Sequence, residues 1–303
     1  MALPREVVVG GNSMATRRCS ERRFFLLPRE DTKQNFFYCL ALAAKRYEVK
    51  VIFTLASTNH HHTGVHDPHG RLPDFMEHFH KLLARCQNAQ WGRHEAMWAS
   101  EQANVVQLIE GEDVLQKLVY ALTNPVKDDL VEKAHHWPGA SSLESMRRGT
   151  PIVARRPRHF FSEESHLPET IELEFHRPAE FESWTHEEWV TEIDRRIAVV
   201  EDEAARRRQQ EGRRVLGRKG VLRQSWKSCP RSIEPRRGPK PRVSTSSKWA
   251  RAETKQRRRA FLDAYRRARD ALMNGQLPIV FPEGTYWRLK PLPFRTDVVP
   301  VAA

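Results

Sequence analysis

The sequence predicts an α+β fold, in which helices pack on an antiparallel β-sheet. Up to about residue 125, short stretches rich in Val, Ile and Leu alternate with longer segments whose apolar residues recur at helical spacing. The resulting order is strand, helix, strand, strand, helix, strand, helix. Only a tight turn separates the second and third strands, so they are expected to pair antiparallel, with the helices packed on the sheet.

Each element has a local signal. A Val-rich stretch predicts the first strand, and Asp31 with Gln34 three residues later has the spacing of a capping box at a helix start. Pro125 is expected to end the third helix, because proline has no N–H to donate. The predicted strands cover residues 5–14, 48–57, a run starting at His60 after a turn at Thr58–Asn59, and 102–111; the predicted helices cover a segment from Asp31 to about Tyr47, and residues 71–87 and 112–125. On the second helix, His78 and His80 are expected at the surface.

The second half of the chain is strongly basic. The net charge is +13; residues 1–150 carry 19 Lys and Arg against 17 Asp and Glu, and residues 151–303 carry 32 against 21. We expect a first domain at 1–150, a proline-rich linker at 151–180 and a basic, mainly helical and partly disordered region at 181–303. In the last region, helices are predicted at 187–215 and 249–273, and loop or disorder at 216–248. Such a charge favours nucleic acid as a partner, although a solvated charged surface has the same composition.

Membrane and disulfide-rich classes are disfavoured. The sequence has no stretch of about 18 apolar residues, and its first residues lack the apolar core of a signal peptide. The four cysteines, Cys19, Cys39, Cys86 and Cys229, are not spaced as a zinc site or a disulfide framework. We therefore expect a cytoplasmic, nucleoid-associated protein that has no membrane partner.

Three consecutive histidines, His60 to His62, open the predicted third strand. Because side chains alternate along a strand, His60 and His62 share one face and His61 points to the other. Two imidazoles on one face can share a divalent metal ion if a third ligand comes from elsewhere. A histidine tract that binds metal only adventitiously has the same spacing.

The third helix carries polar residues away from its apolar stripe. At about 100° per residue, Tyr120 and Asn124 lie opposite Leu115, and Lys117 lies near the same face. Tyr120 and Asn124 are four residues apart and therefore one turn from each other. An exposed tyrosine without a chemical role is the alternative interpretation.

Four segments resemble the HUH single-tyrosine transposases, above all their REP-associated, insertion-sequence-200-like branch. The first resembles the family's first strand and arginine turn, the second its Asn-His-hydrophobic-His segment, the third its tyrosine helix and the fourth the Trp-Pro…Ser-Ser close of the domain. They read TRRCSERRFFLLP (16–28), STNHHHTGVHDPHGRLPDF (57–75), VYALTNPVKDDLV (119–131) and HHWPGASSL (135–143). The resemblance covers about residues 5–145.

The resemblance implies a ferredoxin-like or RRM-like sheet, the HUH endonuclease fold, and metal-dependent cleavage of single-stranded or hairpin DNA. It makes Tyr120 the nucleophile and assigns Mg²⁺ or Mn²⁺ to His60, His62 and Asn124. The products would be a 5′-phosphotyrosine and a free 3′-OH, so that strands could be rejoined without ATP. Since relatives are monomers or homodimers, one of these states is expected.

Further residues are expected to contact DNA. Arginines around the first strand could hold phosphates, a lysine lies beside the tyrosine, and a tryptophan could stack on unpaired bases. These residues are Arg17, Arg18, Arg22, Arg23, Lys117 and Trp98. The alternatives are a solvated turn for the arginines and a packing role for the tryptophan.

The histidine segment also departs from the family pattern. His61 stands where the family has a hydrophobic residue, and Thr63 and Gly64 replace an apolar strand, which is expected to weaken it. His61 would have to be buried neutral and hydrogen-bonded. A decayed or repurposed nucleic-acid-binding protein of the same fold is therefore the second hypothesis, and a basic RNA-binding protein on an RRM-like sheet is the third.

Overall fold

The computed structural model describes residues 4–232, 241–276 and 278–286. Its centre is a five-stranded sheet with the order β2-β3-β1-β4-β7. The pairs β2–β3, β3–β1 and β1–β4 are antiparallel, and the pair β4–β7 is parallel. The strands of the chain are β1 (Gly11–Arg18), β2 (Lys50–Ala56), β3 (His60–Asp67), β4 (Asn104–Leu108), β5 (Ile152–Arg155), β6 (Thr170–Leu173) and β7 (Val243–Ser244).

Helices cover both faces of this sheet. One apolar core joins α1 and α2 to one face, and a second joins α3 and α6 to the other, because the strands present apolar side chains alternately to each side. The helices are α1 (Glu30–Tyr47), α2 (Leu72–Trp91), α3 (Gly111–Leu122), α4 (Asn124–Lys127), α5 (Leu143–Arg148), α6 (His186–Glu211), α7 (Gly217–Arg223) and α8 (Lys248–Met273). The predicted α+β class and the order of the first seven elements are confirmed.

Several element boundaries differ from the prediction, and three of them have a clear local cause. The first strand begins at Gly11 rather than at residue 5, because Gly10 adopts a left-handed φ of 71° that turns the chain just before it. The predicted capping box at Asp31 is wrong: α1 begins at Glu30, and the Gln34 amide donates to the Glu30 carboxylate at 3.0 Å.

The third boundary lies in the tyrosine helix. Helix α3 ends at Leu122 instead of running to Pro125, and Thr123 separates it from the short α4. The Thr123 hydroxyl donates to the Val119 carbonyl at 2.7 Å, and Pro125 lies in the first turn of α4, where its missing N–H costs nothing. Asn124 is consequently the first residue of α4 rather than part of the tyrosine helix.

The residues after 150 pack onto the sheet domain. The predicted linker contains the β5–β6 hairpin, whose Ala154, Ile171 and Leu173 are buried in the core that includes α1. Helices α6 and α8 match the two predicted basic helices closely, and the predicted loop at 216–248 holds α7 and β7, with residues 233–240 outside the described residues. The domain limits at 150 and 180 stay a prediction.

Later segments also cover both edges of the sheet. On the β2 edge, Ser142 donates its N–H to Thr54 at 2.9 Å and His176 donates to Val51 at 2.8 Å. On the β4 edge, the Gln107 N–H donates to the Arg242 carbonyl at 2.8 Å beside the short β7. None of the helices in the described residues is long and apolar enough to cross a membrane.

Candidate active site

Strand β3 sends its histidines to opposite faces of the sheet. His62 pairs with Thr16 of β1 and His60 with Arg18, so these four side chains share the face covered by α3. His61 pairs with Arg17, and both belong to the other face. The predicted alternation of the three histidines is therefore what the register shows.

His62 is held as a neutral imidazole. Its Nδ1 lies 2.8 Å from the Thr16 hydroxyl, which can accept the ring proton and leave the lone pair on Nε2. Burial, followed by the charges of His60, Lys117 and Lys127, sets the pKa of His62 well below its usual value. The Nε2 atom is itself buried and has no hydrogen-bond partner in the described residues.

His60 is also oriented by a neighbour. Its Nδ1 donates to the Asn59 side-chain oxygen at 2.7 Å, because an amide oxygen can only accept, and this places the ring lone pair on Nε2. The rings of His60 and His62 are 4.9 Å apart between centroids. The asparagine in front of the histidine run thus fixes the tautomer of the first histidine.

Tyr120 stands beside this pair on α3. Its ring centroid lies 5.5 Å from that of His62, and its side chain is 40% exposed, so it faces the site and not the apolar core. The ammonium groups of Lys127 and Lys117 lie 4.5 Å and 5.4 Å from the ring centroid. Burial and the nearby Asp128 carboxylate raise the pKa of Tyr120, so the phenol keeps its proton at neutral pH.

Asn124 follows Tyr120 by four residues in the sequence, and its side chain carries an amide oxygen. The residue is 8% exposed, and its Oδ1 is buried with no hydrogen-bond partner among the described residues. A buried, unpaired acceptor costs about 1–3 kcal/mol and calls for a ligand or another explanation. In the described part of the chain, no group of three or more His, Cys, Asp or Glu side chains is arranged to hold a metal ion. The ligand set of His60, His62 and Asn124 stays a prediction; two imidazole nitrogens and one amide oxygen suit a weakly held divalent cation.

The residues predicted to contact DNA lie in different parts of the structure. Arg18 and Lys117 lie on the face of the candidate site, whereas Arg17 lies on the opposite face. Arg22 donates to Ser232 at 3.0 Å, and Arg23 pairs with Glu21 at 3.1 Å. Arg22 thereby ties the turn to a later segment, and Arg23 does the same by donating to the Lys227 carbonyl.

Trp98 is more buried than was expected of a residue that stacks on bases. It is 8% exposed, and its indole N–H donates to the His80 carbonyl at 2.8 Å. Its ring contacts the rings of His61 and His80. Its side chain is packed inside the fold and also lines a cavity on this face, so its base-stacking role stays a prediction.

His61 is buried and hydrogen-bonded, as the departure from the family pattern required. Its Nδ1 lies 3.0 Å from the Thr63 hydroxyl and its Nε2 lies 3.0 Å from Nε2 of His80. The expectation that His80 lies at the surface was wrong, because His80 is 7% exposed and supplies this partner. Burial lowers the pKa of both rings, that of His80 to about 3.

Sequence reasoning missed Lys127 as a member of the site. It lies seven residues after Tyr120, two helical turns away on the same face, but ending the helix at Pro125 removed it from the wheel. The Lys127 ammonium group lies 4.5 Å from the Tyr120 ring centroid, so a helical wheel continued past Pro125 would have included it.

Comparison with known proteins gives structural matches only. The chain is similar to the structure of a REP-associated tyrosine transposase bound to a REP hairpin, at 14% identity and a TM-score of 0.42, covering 59% of this chain and 98% of that one. It is also similar to a protein of Deinococcus radiodurans R1 assigned as a transposase, at 14% identity and a TM-score of 0.29, covering 39% of this chain and 93% of that one. Over part of its length, the chain resembles transposases in structure. No family model matches the chain. No curated protein matches it either.

Proposed function

We propose that this protein cleaves and rejoins single-stranded DNA through Tyr120, as a transposase of the HUH single-tyrosine kind. The observation that carries the proposal is the placement of Tyr120 against His62, a buried neutral imidazole whose Nε2 has no partner in the described residues. The unpartnered oxygen of Asn124 and the oriented ring of His60 support it.

His60, His62 and Asn124 would hold Mg²⁺ or Mn²⁺, which when bound supplies Lewis-acid activation of the scissile phosphate. The Tyr120 oxygen forms a bond to phosphorus while the bond to the 3′ oxygen breaks. The phenol proton passes to solvent at this partly exposed residue, and the leaving 3′ oxygen takes up a proton from solvent. A 5′-phosphotyrosine and a free 3′-OH result, and a 3′-OH attacking the same phosphorus regenerates the tyrosine. The ammonium groups of Lys117 and Lys127 stand where they can offset the phosphate charge.

The departures in the histidine strand do not interrupt its pairing. Gly64 leaves room for the Phe53 ring, since a Cβ there would lie 2.2 Å from the ring. Strand β3 pairs along its length with β1 and with β2 across one bulge. A strand expected to be weakened is thus fully paired on both sides.

Covalent trapping tests the proposal. The protein is incubated with Mn²⁺ and labelled oligonucleotides, including single strands and hairpins taken from around its own gene, and a denaturing gel detects protein–DNA adducts. The adduct should form with the parent and with Tyr47→Phe, a control on the distant end of α1, and should disappear in Tyr120→Phe and His62→Ala. An adduct that persists in Tyr120→Phe, or salt-sensitive binding without any adduct in the parent, would overturn the proposed chemistry.

A further inference from the structure

A large cavity lies on the other side of the sheet from Tyr120. Its volume is about 830 Å³, which is within the usual range for small-molecule sites. Its lining comes from β1, β4, α2 and α8 together with the segments before β1 and β7. Arg17 of β1 contributes to it, and Arg17 pairs with His61 on the face that His62 does not share.

Four guanidinium groups converge on this cavity from four separate parts of the chain. They belong to Arg5, Arg17, Arg242 and Arg258. Burial and the charges of Arg242 and Arg17 lower the pKa of Arg5, and burial and Arg258 lower that of Arg242. The four cations therefore repel one another across a partly enclosed space.

Arg5 and Arg17 donate to backbone carbonyls and not to carboxylates in the described part of the chain: Arg5 to Ala103 at 2.5 Å and Arg17 to Ala99 at 3.3 Å. Of the acids at the cavity, Glu6 pairs with Arg257 at 2.9 Å, and Asp67 accepts the backbone N–H groups of Arg71 and Leu72 at 2.8 Å each. The Nε atoms of Arg5 and Arg17 are buried and lack hydrogen-bond partners among the described residues. A half-buried guanidinium group without a carboxylate partner is a suitable site for an anionic ligand.

Aromatic rings complete the lining. Phe261 and Tyr265 of α8 lie on one side, and Tyr286 lies beside α2, where its hydroxyl and the Asp74 carboxylate form a hydrogen bond. Arginine forks suit phosphate oxygens, and aromatic faces suit a nucleobase. Cationic groups and aromatic rings thus line one space that is large enough for a nucleotide.

We propose that the cavity between the sheet and α8 binds a nucleotide, with its phosphate on Arg5, Arg17, Arg242 and Arg258 and its base among the aromatic rings. The nucleotide can be free or one unit of an unpaired DNA strand, because both present the same phosphate and base. This site goes beyond the proposed cleavage function and does not depend on it.

Calorimetric titration of the full-length protein in EDTA tests this proposal, since no divalent metal is then available to the Tyr120 face. The probes are dAMP, the trinucleotide dT3 and inorganic phosphate. Arg258→Gln and Arg242→Gln should weaken binding at least tenfold, whereas Arg259→Gln, the neighbouring exposed arginine of α8, should change it less than twofold. Tyr120→Phe should bind as the parent does.

The probes separate the possible sources of the nucleotide. Tight dAMP binding that depends on Arg258 assigns a free nucleotide, and binding of dT3 alone with the same dependence assigns a DNA strand. Either result supports the site. Equal loss in Arg258→Gln and Arg259→Gln, binding of inorganic phosphate as tight as that of dAMP, or no binding of any probe overturns it.

Discussion

At the scale of single residues, His62 shows how one strand position becomes suited to chemistry. The Thr16 hydroxyl orients the ring at 2.8 Å, burial keeps it neutral, and Nε2 has no partner in the described part of the chain. A neutral ring with one oriented lone pair is the form that binds a metal ion. Thr16 is therefore a positioning residue for His62.

Metal binding should be visible without DNA. Mn²⁺ at 100 times its Kd should stabilise the parent by about 2.7 kcal/mol, which a thermal melt measures. His62→Ala and Asn124→Ala should lose this shift, and Thr16→Val should need about 10–100 times more Mn²⁺. His69→Ala, which removes an exposed histidine of the loop after β3, serves as the control. An unchanged Mn²⁺ shift in His62→Ala would contradict the assignment.

The buried pair of His61 and His80 should make folding sensitive to acid. Burial lowers the pKa of His80 to about 3, while an imidazole in an unfolded chain titrates near 6.5. Below pH 6.5 the unfolded chain therefore takes up a proton that the folded chain does not, and the free energy of unfolding falls by about 1.4 kcal/mol per pH unit for each such proton.

Urea unfolding at pH 7, 6 and 5 measures this dependence. His80→Gln keeps a hydrogen-bonding group at the position but does not titrate. Its free energy of unfolding should therefore fall less steeply as the pH is lowered, because unfolding of this variant takes up about one proton fewer. Identical slopes in the parent and His80→Gln would show that His80 does not contribute.

The sequence pattern predicted which histidines share a face of the sheet, but it did not predict the hydrogen-bond partners of the buried polar side chains. Alternation along a strand is local, so His60 and His62 were correctly placed on one face. The partner of His61 lies 19 positions away, and only the packing of α2 on β3 brings it there. The burial of Trp98 was missed for the same reason, since its indole hydrogen bond goes to a residue on another element.

At the scale of elements, the packing of β3 depends on the glycine at position 64. The Phe53 ring occupies the space above Gly64, where a Cβ would meet ring atoms at 2.2 to 2.5 Å. The glycine in the strand allows this aromatic ring to approach the backbone. The same contact lies on the face that carries His62, so it also keeps that face packed.

Gly64→Ala should destabilise the fold by about 1–3 kcal/mol, because the ring and the strand must move apart. Urea denaturation measures the loss. Phe53→Leu removes the ring, so the double variant should be more stable than the sum of the two single losses predicts. Additive losses would show that the two positions do not interact.

Element order followed from periodicity, but element ends and the hairpin after residue 150 did not. The β5–β6 strands are four residues each, too short for a period to show, and their apolar residues are buried only because α1 lies against them. The break between α3 and α4 depends on one hydroxyl of Thr123 and on Pro125. Such local choices leave little trace in an apolar pattern.

At the scale of the whole molecule, the basic second half belongs to the fold of the first. Trp189, Ile193 and Ile197 of α6 are buried against the α3 side of the sheet. The buried Glu201 carboxylate accepts the Ala134 N–H at 2.7 Å and pairs with Lys133 at 3.1 Å.

Arginines of the second half also form ion pairs with the first half. Arg196 pairs with Glu112 at the start of α3, and Asp129 pairs with three arginines, Arg207, Arg208 and Arg213. Several arginines that looked available for DNA thus hold the molecule together.

A chain of residues 1–150 should therefore lack a cooperative unfolding transition, since the surface that α6 covers would be open to water. A chain of residues 1–232, which retains α6, should unfold cooperatively. Near-UV circular dichroism during urea unfolding distinguishes the two. A sharp transition for residues 1–150 would instead support the predicted domain limit at 150.

The pairing of β7 with β4 also has a consequence during synthesis. Strand β4 is complete at Leu108, but the residues that cover its free edge follow about 135 positions later, at Val243–Ser244. At a ribosome speed of ~5–20 residues per second, that edge waits roughly 7 to 27 s for its cover. Its backbone groups are open to strands of other nascent chains throughout this interval. Translation stalled between these two points would thus yield the form of this protein most prone to aggregate.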